Sequence, residues 1–215
     1  MKLFDELPVY EYEKVRDSFA WAFFSKKMNY TTSQVYDHPK VPESMNDPPS
    51  LEPKLQKLDK ESERVLKQFR ERESQGILPP VILKTDPICG FYVEAAADLP
   101  ELTLLAEYLG QVRTDKQTMG DTNDSIMELM CSGDPNSSLV VIPYVFANVA
   151  RFFNGINNSQ VGSKTKKQNV RTMRCQVDGK ATVLLYTKRN IKRGETLLYD
   201  YNEAGKDMYP TNHFI

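Results

Sequence analysis

Two short stretches carry most of the information about how this chain folds. Residues 151–158 read Arg-Phe-Phe-Asn-Gly-Ile-Asn-Asn, and residues 194–202 read Gly-Glu-Thr-Leu-Leu-Tyr-Asp-Tyr-Asn. Taken alone, Asn154-Gly155 between apolar residues is typical of a tight hairpin turn. Tyr199 and Tyr201 stand two apart on a predicted strand, so both would face one side and could serve as core aromatics. Each stretch by itself therefore has a purely structural interpretation.

The rest of the chain divides into regions with different sequence patterns. Residues 10–28 carry apolar side chains at helical spacing, which predicts a helix. Five prolines within residues 39–53 predict an extended tether. A second helix is expected from about Ser50 to Gln75, with a proline tolerated in its first turn. After residue 80, short apolar runs alternate with turns such as Asp178-Gly179, which predicts a β-rich domain.

Composition excludes several classes of function. The 215 residues have a net charge of −1, whereas a domain held mainly by DNA phosphates is usually strongly basic. Only two histidines are present, and the three cysteines stand more than 40 residues apart, so we expect neither a Ser/His/Asp triad nor a metal site. The longest apolar run, residues 139–147, contains Pro143, so no membrane-spanning helix is expected. Any chemistry must use tyrosines, amides and carboxylates.

A third segment stands ahead of the two stretches. Gly90-Phe91-Tyr92 is followed by Glu107-Tyr108-Leu109-Gly110. Together, in this order and at this spacing, the segments resemble those of SET-domain protein-lysine methyltransferases over roughly residues 80–202. The resemblance implies a β-rich fold of several small sheets with a knot-like C-terminal threading, preceded by a helical N-terminal extension. It implies three parts: a helical flanking region with the proline-rich tether (1–79), the SET domain (80–202) and a C-terminal segment that closes the cofactor site (203–215).

Departures from the usual SET pattern point to one subgroup of these enzymes. Tyr92 stands where a typical member has the second glycine of Gly-x-Gly. Gly155, Ile156 and Asn157 replace His-Ser-Cys, and the post-SET cysteine cluster is missing. In these respects the chain is similar to the plant trithorax-related enzymes that monomethylate lysine 27 of histone H3. This implies a nuclear enzyme, linked to chromatin silencing, that uses S-adenosylmethionine and releases S-adenosylhomocysteine. A catalytically weak SET module that binds the histone tail, or a SET methyltransferase of a non-histone protein, are the alternatives.

The resemblance also assigns candidate site residues. The catalytic candidates are three tyrosines: Tyr201, Tyr199 and Tyr108. The cofactor candidates come from the glycine-containing segments and from C-terminal aromatics: Cys89, Gly90, Phe91, Tyr92, Arg151, Phe152, Asn154, Gly155, Tyr201, Tyr209 and Phe214. The substrate candidates flank the same tyrosines: Asp124, Met127, Glu128, Leu198 and Tyr199.

These residue types suit methyl transfer to lysine. A lysine ammonium must lose its proton before it can attack a methyl group. An apolar channel next to a positive sulfonium lowers the lysine pKa by desolvation and by repulsion of like charges. Tyrosine rings tolerate cationic and methylated ammonium groups at such a wall. A proton that leaves through water requires no histidine.

Partners are expected from charge and from the resemblance. The histone H3 tail and the nucleosome are the expected partners of a monomeric chain, and no membrane is involved. The insertion from Arg113 to Pro135 carries more acids than bases, so it either attracts the basic tail or is a solvated face. Lys164, Lys166 and Lys167 form either solvated surface or a weak, salt-dependent contact with DNA. Replication-clamp or reader-domain partners would bind through regions outside this chain.

Overall fold

The computed structural model describes residues 1–36, 55–87, 90–121, 125–156 and 167–202. The helices in these ranges are two α-helices, α1 (Val9–Lys26) and α2 (Lys60–Ser74), and two 3₁₀ helices, Asp115–Thr118 and Val149–Phe152. The strands are β1 (Asn29–Tyr30), β2 (Val35–Tyr36), β3 (Gln56–Lys57), β4 (Val81–Asp86), β5 (Gly90–Ala95), β6 (Leu104–Glu107), β7 (Gln111–Thr114), β8 (Met127–Met130), β9 (Leu139–Ile142), β10 (Phe146–Ala147), β11 (Asn154–Gly155), β12 (Val170–Val177), β13 (Lys180–Thr187) and β14 (Leu198–Tyr199). None of the described helices is long and apolar enough to cross a membrane.

The strands form small sheets, as predicted. In the described part of the chain there are two four-stranded sheets, with orders β3-β12-β13-β6 and β2-β7-β9-β8, and three strand pairs, β1-β10, β4-β5 and β11-β14. The longest pairing is the antiparallel β12–β13 hairpin. Its turn residues Asp178 and Gly179 have φ angles of 52° and 75°. An Asp-Gly pair adopts positive φ at both positions readily, so the predicted turn is confirmed.

The N-terminal region shares its sheets with the strands that follow. Strands β1, β2 and β3 pair in parallel with β10, β7 and β12, respectively. Helix α1 buries Val15, Phe19, Ala22 and Phe23 in the main hydrophobic core, which also includes residues of β4, β5 and β13. The first 36 residues therefore complete the β-rich body through backbone pairing and core packing.

Helix α2 begins later than the sequence pattern predicts. It starts at Lys60 rather than near Ser50, and Asp59 caps it by accepting a hydrogen bond from the Ser62 amide at 2.7 Å. Gln56–Lys57 is extended and pairs with the edge of β12. Pairing with a distant strand thus overrides the local helical pattern ahead of Asp59, whose side chain then satisfies a free first-turn amide.

The Asn154-Gly155 pair is not a hairpin turn. It forms β11, which runs parallel to β14 with Asn154 opposite Leu198 and Gly155 opposite Tyr199. The amide of Ile156 extends the pairing by donating to the Tyr199 carbonyl at 3.0 Å. The partner strand, β14, therefore lies more than 40 residues away in sequence. The pairing brings residues 151–158 and 194–202 side by side.

Candidate active site

The β11–β14 pair places two tyrosines at its end. Tyr199 is buried and Tyr201 is partly buried, and their ring centroids are 4.5 Å apart. The Tyr201 hydroxyl donates a hydrogen bond of 2.9 Å to the backbone carbonyl of Phe153, directly ahead of β11. Since a phenol has one proton, this bond fixes the direction in which the Tyr201 hydroxyl donates.

The third tyrosine approaches from another sheet. Tyr108 follows β6, is buried, and donates its hydroxyl proton to the Ser125 carbonyl at 2.7 Å. Ser125 lies two residues ahead of β8, which begins at Met127. Tyr108 and Tyr199 both belong to the main hydrophobic core, and Met127 and Tyr201 pack against it. Tyr199 and Tyr201 are in ring contact, while Tyr108 reaches the same core from β6.

The residues predicted for the cofactor meet at the start of β5. The Asn154 side-chain amide donates to the Phe91 carbonyl at 3.2 Å. The Phe91 and Phe152 ring centroids lie 5.3 Å apart. Gly90 is exposed with a φ of 72°, and a Cβ there would meet no atom within 4 Å, so the backbone is open to a ligand. Alternation along the strand places the Tyr92 side chain on the opposite face from Phe91.

This set of donors fits S-adenosylmethionine. The cofactor of SET methyltransferases combines a purine, which stacks on aromatic rings, with polar groups that need amide and backbone partners. The Asn154 amide and the open backbone at Gly90 supply polar groups, and the Phe91 ring beside them packs against Trp21 and Phe152 with centroids 5.0 and 5.3 Å away. Arg151 contributes differently, because its guanidinium donates to the Pro143 carbonyl at 2.6 Å and so holds the 3₁₀ helix in place.

Substrate candidates lie on two strands, Glu128 in β8 and Leu198 in β14. The Arg174 Nε donates to the Glu128 carbonyl at 2.9 Å and lies 3.8 Å from its carboxylate, which reduces the negative charge that Glu128 presents. Leu198 is partly buried within β14. Lys167 of the basic run is exposed. The remaining candidates lie outside the described residues, and their roles stay predictions: Cys89, Asp124, Tyr209, Phe214, Lys164 and Lys166.

Two buried asparagines hold the site together and were not predicted from the sequence. Asn169 donates to the Thr196 carbonyl at 2.8 Å and accepts from the Leu198 amide at 2.9 Å. Asn148 caps the second 3₁₀ helix by accepting from the Ala150 amide at 3.1 Å. Asparagine ahead of a helical turn is a recognisable cap signal, whereas nothing in the local sequence points to Asn169.

Cys175 offers no activated nucleophile. It is buried, and burial, followed by the nearby Glu107 carboxylate, raises the pKa of its thiol to about 12. The thiol is therefore protonated at neutral pH, and a thiolate is the form that reacts.

Comparisons with known proteins agree with this arrangement. The sequence matches the SET domain family over residues 90–202. The histone-lysine N-methyltransferase ATXR5 of Arabidopsis thaliana is 38% identical over 198 residues, which is 92% of this chain and 52% of that protein. The histone-lysine N-methyltransferase ATXR6 of the same plant is 35% identical over 199 residues, which is 92% of this chain and 56% of that protein. The chain therefore spans about half the length of these relatives.

Solved structures extend the match to the N-terminal region. A crystal structure of ATXR5 in complex with histone H3.1 mono-methylated on its arginine 26 superposes with a TM-score of 0.92 and 36% identity, covering 99% of each chain. A second, of the ATXR5 SET domain with histone H3 di-methylated on the same arginine, gives a TM-score of 0.90 at 35% identity and covers both chains completely. From the family match over residues 90–202, the sequence identity to these relatives and the superpositions, this chain belongs to the SET domain family.

Proposed function

We propose that this chain is an S-adenosylmethionine-dependent methyltransferase of the histone H3 tail, acting in the nucleus and adding mainly one methyl group to lysine 27. The observation that carries the proposal is the β11–β14 pairing, which sets Tyr199 beside Gly155 and lets Tyr201 bind the Phe153 carbonyl. The structural match to ATXR5, solved in complex with histone H3, supports the choice of substrate.

Different residues of the chain would bind the cofactor, form the acceptor channel and orient the reacting groups. S-adenosylmethionine, when bound, supplies a methyl group on a positively charged sulfur. Phe91, Asn154 and the backbone at Gly155 would hold it. Tyr108 and Tyr199 would form the walls of a channel that excludes water and lowers the pKa of the acceptor lysine.

Tyr201 would orient the reacting centre. Its hydroxyl is anchored on the Phe153 carbonyl, so the oxygen sits at one place and can accept a hydrogen bond from the reacting groups. Orientation of this kind supplies much of the acceleration in a reaction that needs no strong base. The proton lost by the lysine would leave through water.

One departure from the family pattern favours a second candidate function. Gly155 replaces the family histidine, so it keeps backbone groups for the cofactor but has no ring. A SET module that binds the histone tail with weak or no catalysis would follow if that ring is essential. A methyltransferase acting on a non-histone protein would keep the same site but use a different peptide.

One assay separates these functions. The chain is incubated with labelled S-adenosylmethionine and recombinant H3, free and in nucleosomes, beside a folded Tyr201→Phe variant. Label on H3 that depends on Tyr201 supports the proposal, and mass spectrometry locates the methylated lysine. Binding of H3 without release of S-adenosylhomocysteine indicates the weak module. Label on other proteins of a nuclear extract, with H3 left unlabelled, indicates a non-histone substrate.

A further inference from the structure

Two side chains from the N-terminal region bind consecutive residues at the end of β6, Glu107 and Tyr108. The Gln34 Nε2 donates to the backbone carbonyl of Tyr108 at 3.0 Å. Arg70, on α2, donates to the two carboxylate oxygens of Glu107 from Nε at 2.9 Å and from Nη2 at 2.8 Å. Gln34 and Arg70 both lie outside residues 90–202, which match the SET family.

Both the carboxylate and the backbone carbonyl of Glu107 accept hydrogen bonds. It is 3% exposed, and besides Arg70 its carboxylate accepts from the Thr182 hydroxyl at 2.5 Å. Its backbone carbonyl accepts from the Asn148 side chain at 2.7 Å. An arginine fork on a carboxylate fixes direction as well as distance, because both bonds must form in one plane. Helix α2 therefore helps to fix Glu107 and the Tyr108 that follows it, together with β13, whose Val183 carbonyl accepts from the Tyr108 amide at 2.7 Å.

Gln34 lies against the turn that follows Tyr108. The amide of Val35 donates to the Gly110 carbonyl at 2.9 Å, and β2 pairs with β7 from Gln111 onward. The Gln34 Oε1 is buried and has no hydrogen-bond partner among the described residues. A buried oxygen without a partner is unfavourable for folding. Stability alone would favour an apolar side chain of the same length at this position.

We propose that Gln34 and Arg70 are positioning residues, which hold the Tyr108 ring at its place in the lysine channel through the backbone of Glu107 and Tyr108. The N-terminal region is then part of the catalytic unit. This inference rests on the proposed methyltransferase function, because it assigns the Tyr108 ring to the acceptor channel.

The substitution Gln34→Met tests the proposal. Methionine keeps the length of the side chain and removes both the donor to Tyr108 and the unpartnered oxygen. The melting temperature and the cofactor Kd are expected to stay at the wild-type values, while kcat on H3 peptide falls about tenfold, the scale of a small misplacement at a reacting centre. Gln56→Met is the matched control: it is the same change on exposed β3, and its kcat should equal that of the wild type.

Arg70→Lys provides the second variant. Lysine keeps the positive charge next to Glu107 but cannot form the fork, so kcat should fall with the cofactor Kd unchanged. A double-mutant cycle then asks whether Gln34 acts through Tyr108. In a Tyr108→Leu background, which removes the ring but keeps an apolar side chain, Gln34→Met should cost much less than it costs in the wild type. A full, additive loss in that background would overturn the proposal.

Hydrogen exchange gives a readout that does not need activity. The amides of residues 108–112 should exchange faster in Gln34→Met than in the wild type, and those of β12 should not change. If the amides exchange faster in Gln34→Met but the wild-type chain never methylates H3, the positioning contact is kept and the proposed function is rejected. Unchanged exchange, or faster exchange with wild-type kcat in an active enzyme, would reject the positioning role.

Discussion

At the scale of single residues, the Tyr201 hydroxyl is the group on which the proposed mechanism of methyl transfer depends most. It donates to the Phe153 carbonyl at 2.9 Å, which holds the oxygen in one place. Tyr201→Phe should lower turnover about 10²-fold or more, the size of a lost transition-state contact, with little change in cofactor affinity. Turnover measured with saturating peptide, beside calorimetric cofactor binding, checks this. Near-normal turnover in a folded variant would remove Tyr201 from the mechanism.

Tyr199 is the residue expected to limit the number of methyl groups. Its hydroxyl can bind the amine or an ordered water, which a monomethylated amine must displace before a second transfer. Displacing a well-bound water without replacing its hydrogen bonds costs on the order of 1–2 kcal/mol, or about a tenfold preference. The wild type should therefore stop at monomethyl-lysine, and Tyr199→Phe should give dimethyl-lysine. Mass spectra of long incubations decide this, and abundant dimethyl product from the wild type would contradict it.

At the scale of elements, a buried carboxyl joins α2 to β1. Glu73, near the end of α2, accepts a hydrogen bond of 2.6 Å from the Tyr30 hydroxyl on β1. Burial raises the pKa of Glu73 from 4.5 to about 7, although the hydrogen bond from Tyr30 acts in the opposite direction. The folded state therefore keeps its proton at pH values where the unfolded chain has lost it.

The sign of the pH dependence follows from this difference. Below pH 4.5 both states are protonated, and between 4.5 and 7 only the folded state is, so the free energy of unfolding falls as pH rises, by about 3 kcal/mol in all. Glu73→Gln should remove this decline, so its melting temperature should change less between pH 5 and 8 than that of the wild type. Parallel curves for the two proteins would show that Glu73 does not carry the effect.

At the scale of the whole molecule, charge is balanced overall but uneven locally. The net charge is −1, while the insertion from Arg113 to Pro135 carries Asp121, Asp124 and Glu128. Neutralising these three acids should raise the KM for histone peptide and flatten its dependence on salt, because they attract a basic tail. Cofactor affinity should not change. Arg174 already compensates Glu128 in part, so the single change Glu128→Gln should have only a small effect. An unchanged KM at low salt would make these acids a solvated face.

The sequence by itself was enough to determine the fold class, helix α1 and the turn between β12 and β13. Helix α1 follows from the apolar spacing of residues 10–28, and the β12–β13 turn follows from Asp178-Gly179, because both signals act over a few neighbouring residues. The order of the motifs from Gly90 to Tyr201 was sufficient to place the chain in its family. The domain limits at residues 79/80 and 202/203 stay predictions.

Only the tertiary structure decided how distant segments meet. Asn154-Gly155 carries a hairpin signal, yet it forms a strand beside Leu198, and residues 56–57 leave the predicted helix to pair with β12. The contacts of Gln34 with Tyr108 and of Arg70 with Glu107 join residues 74 and 37 positions apart. Local patterns encode the preferences of neighbours, whereas these contacts depend on which backbone edges and buried polar groups remain to be satisfied once the core has packed.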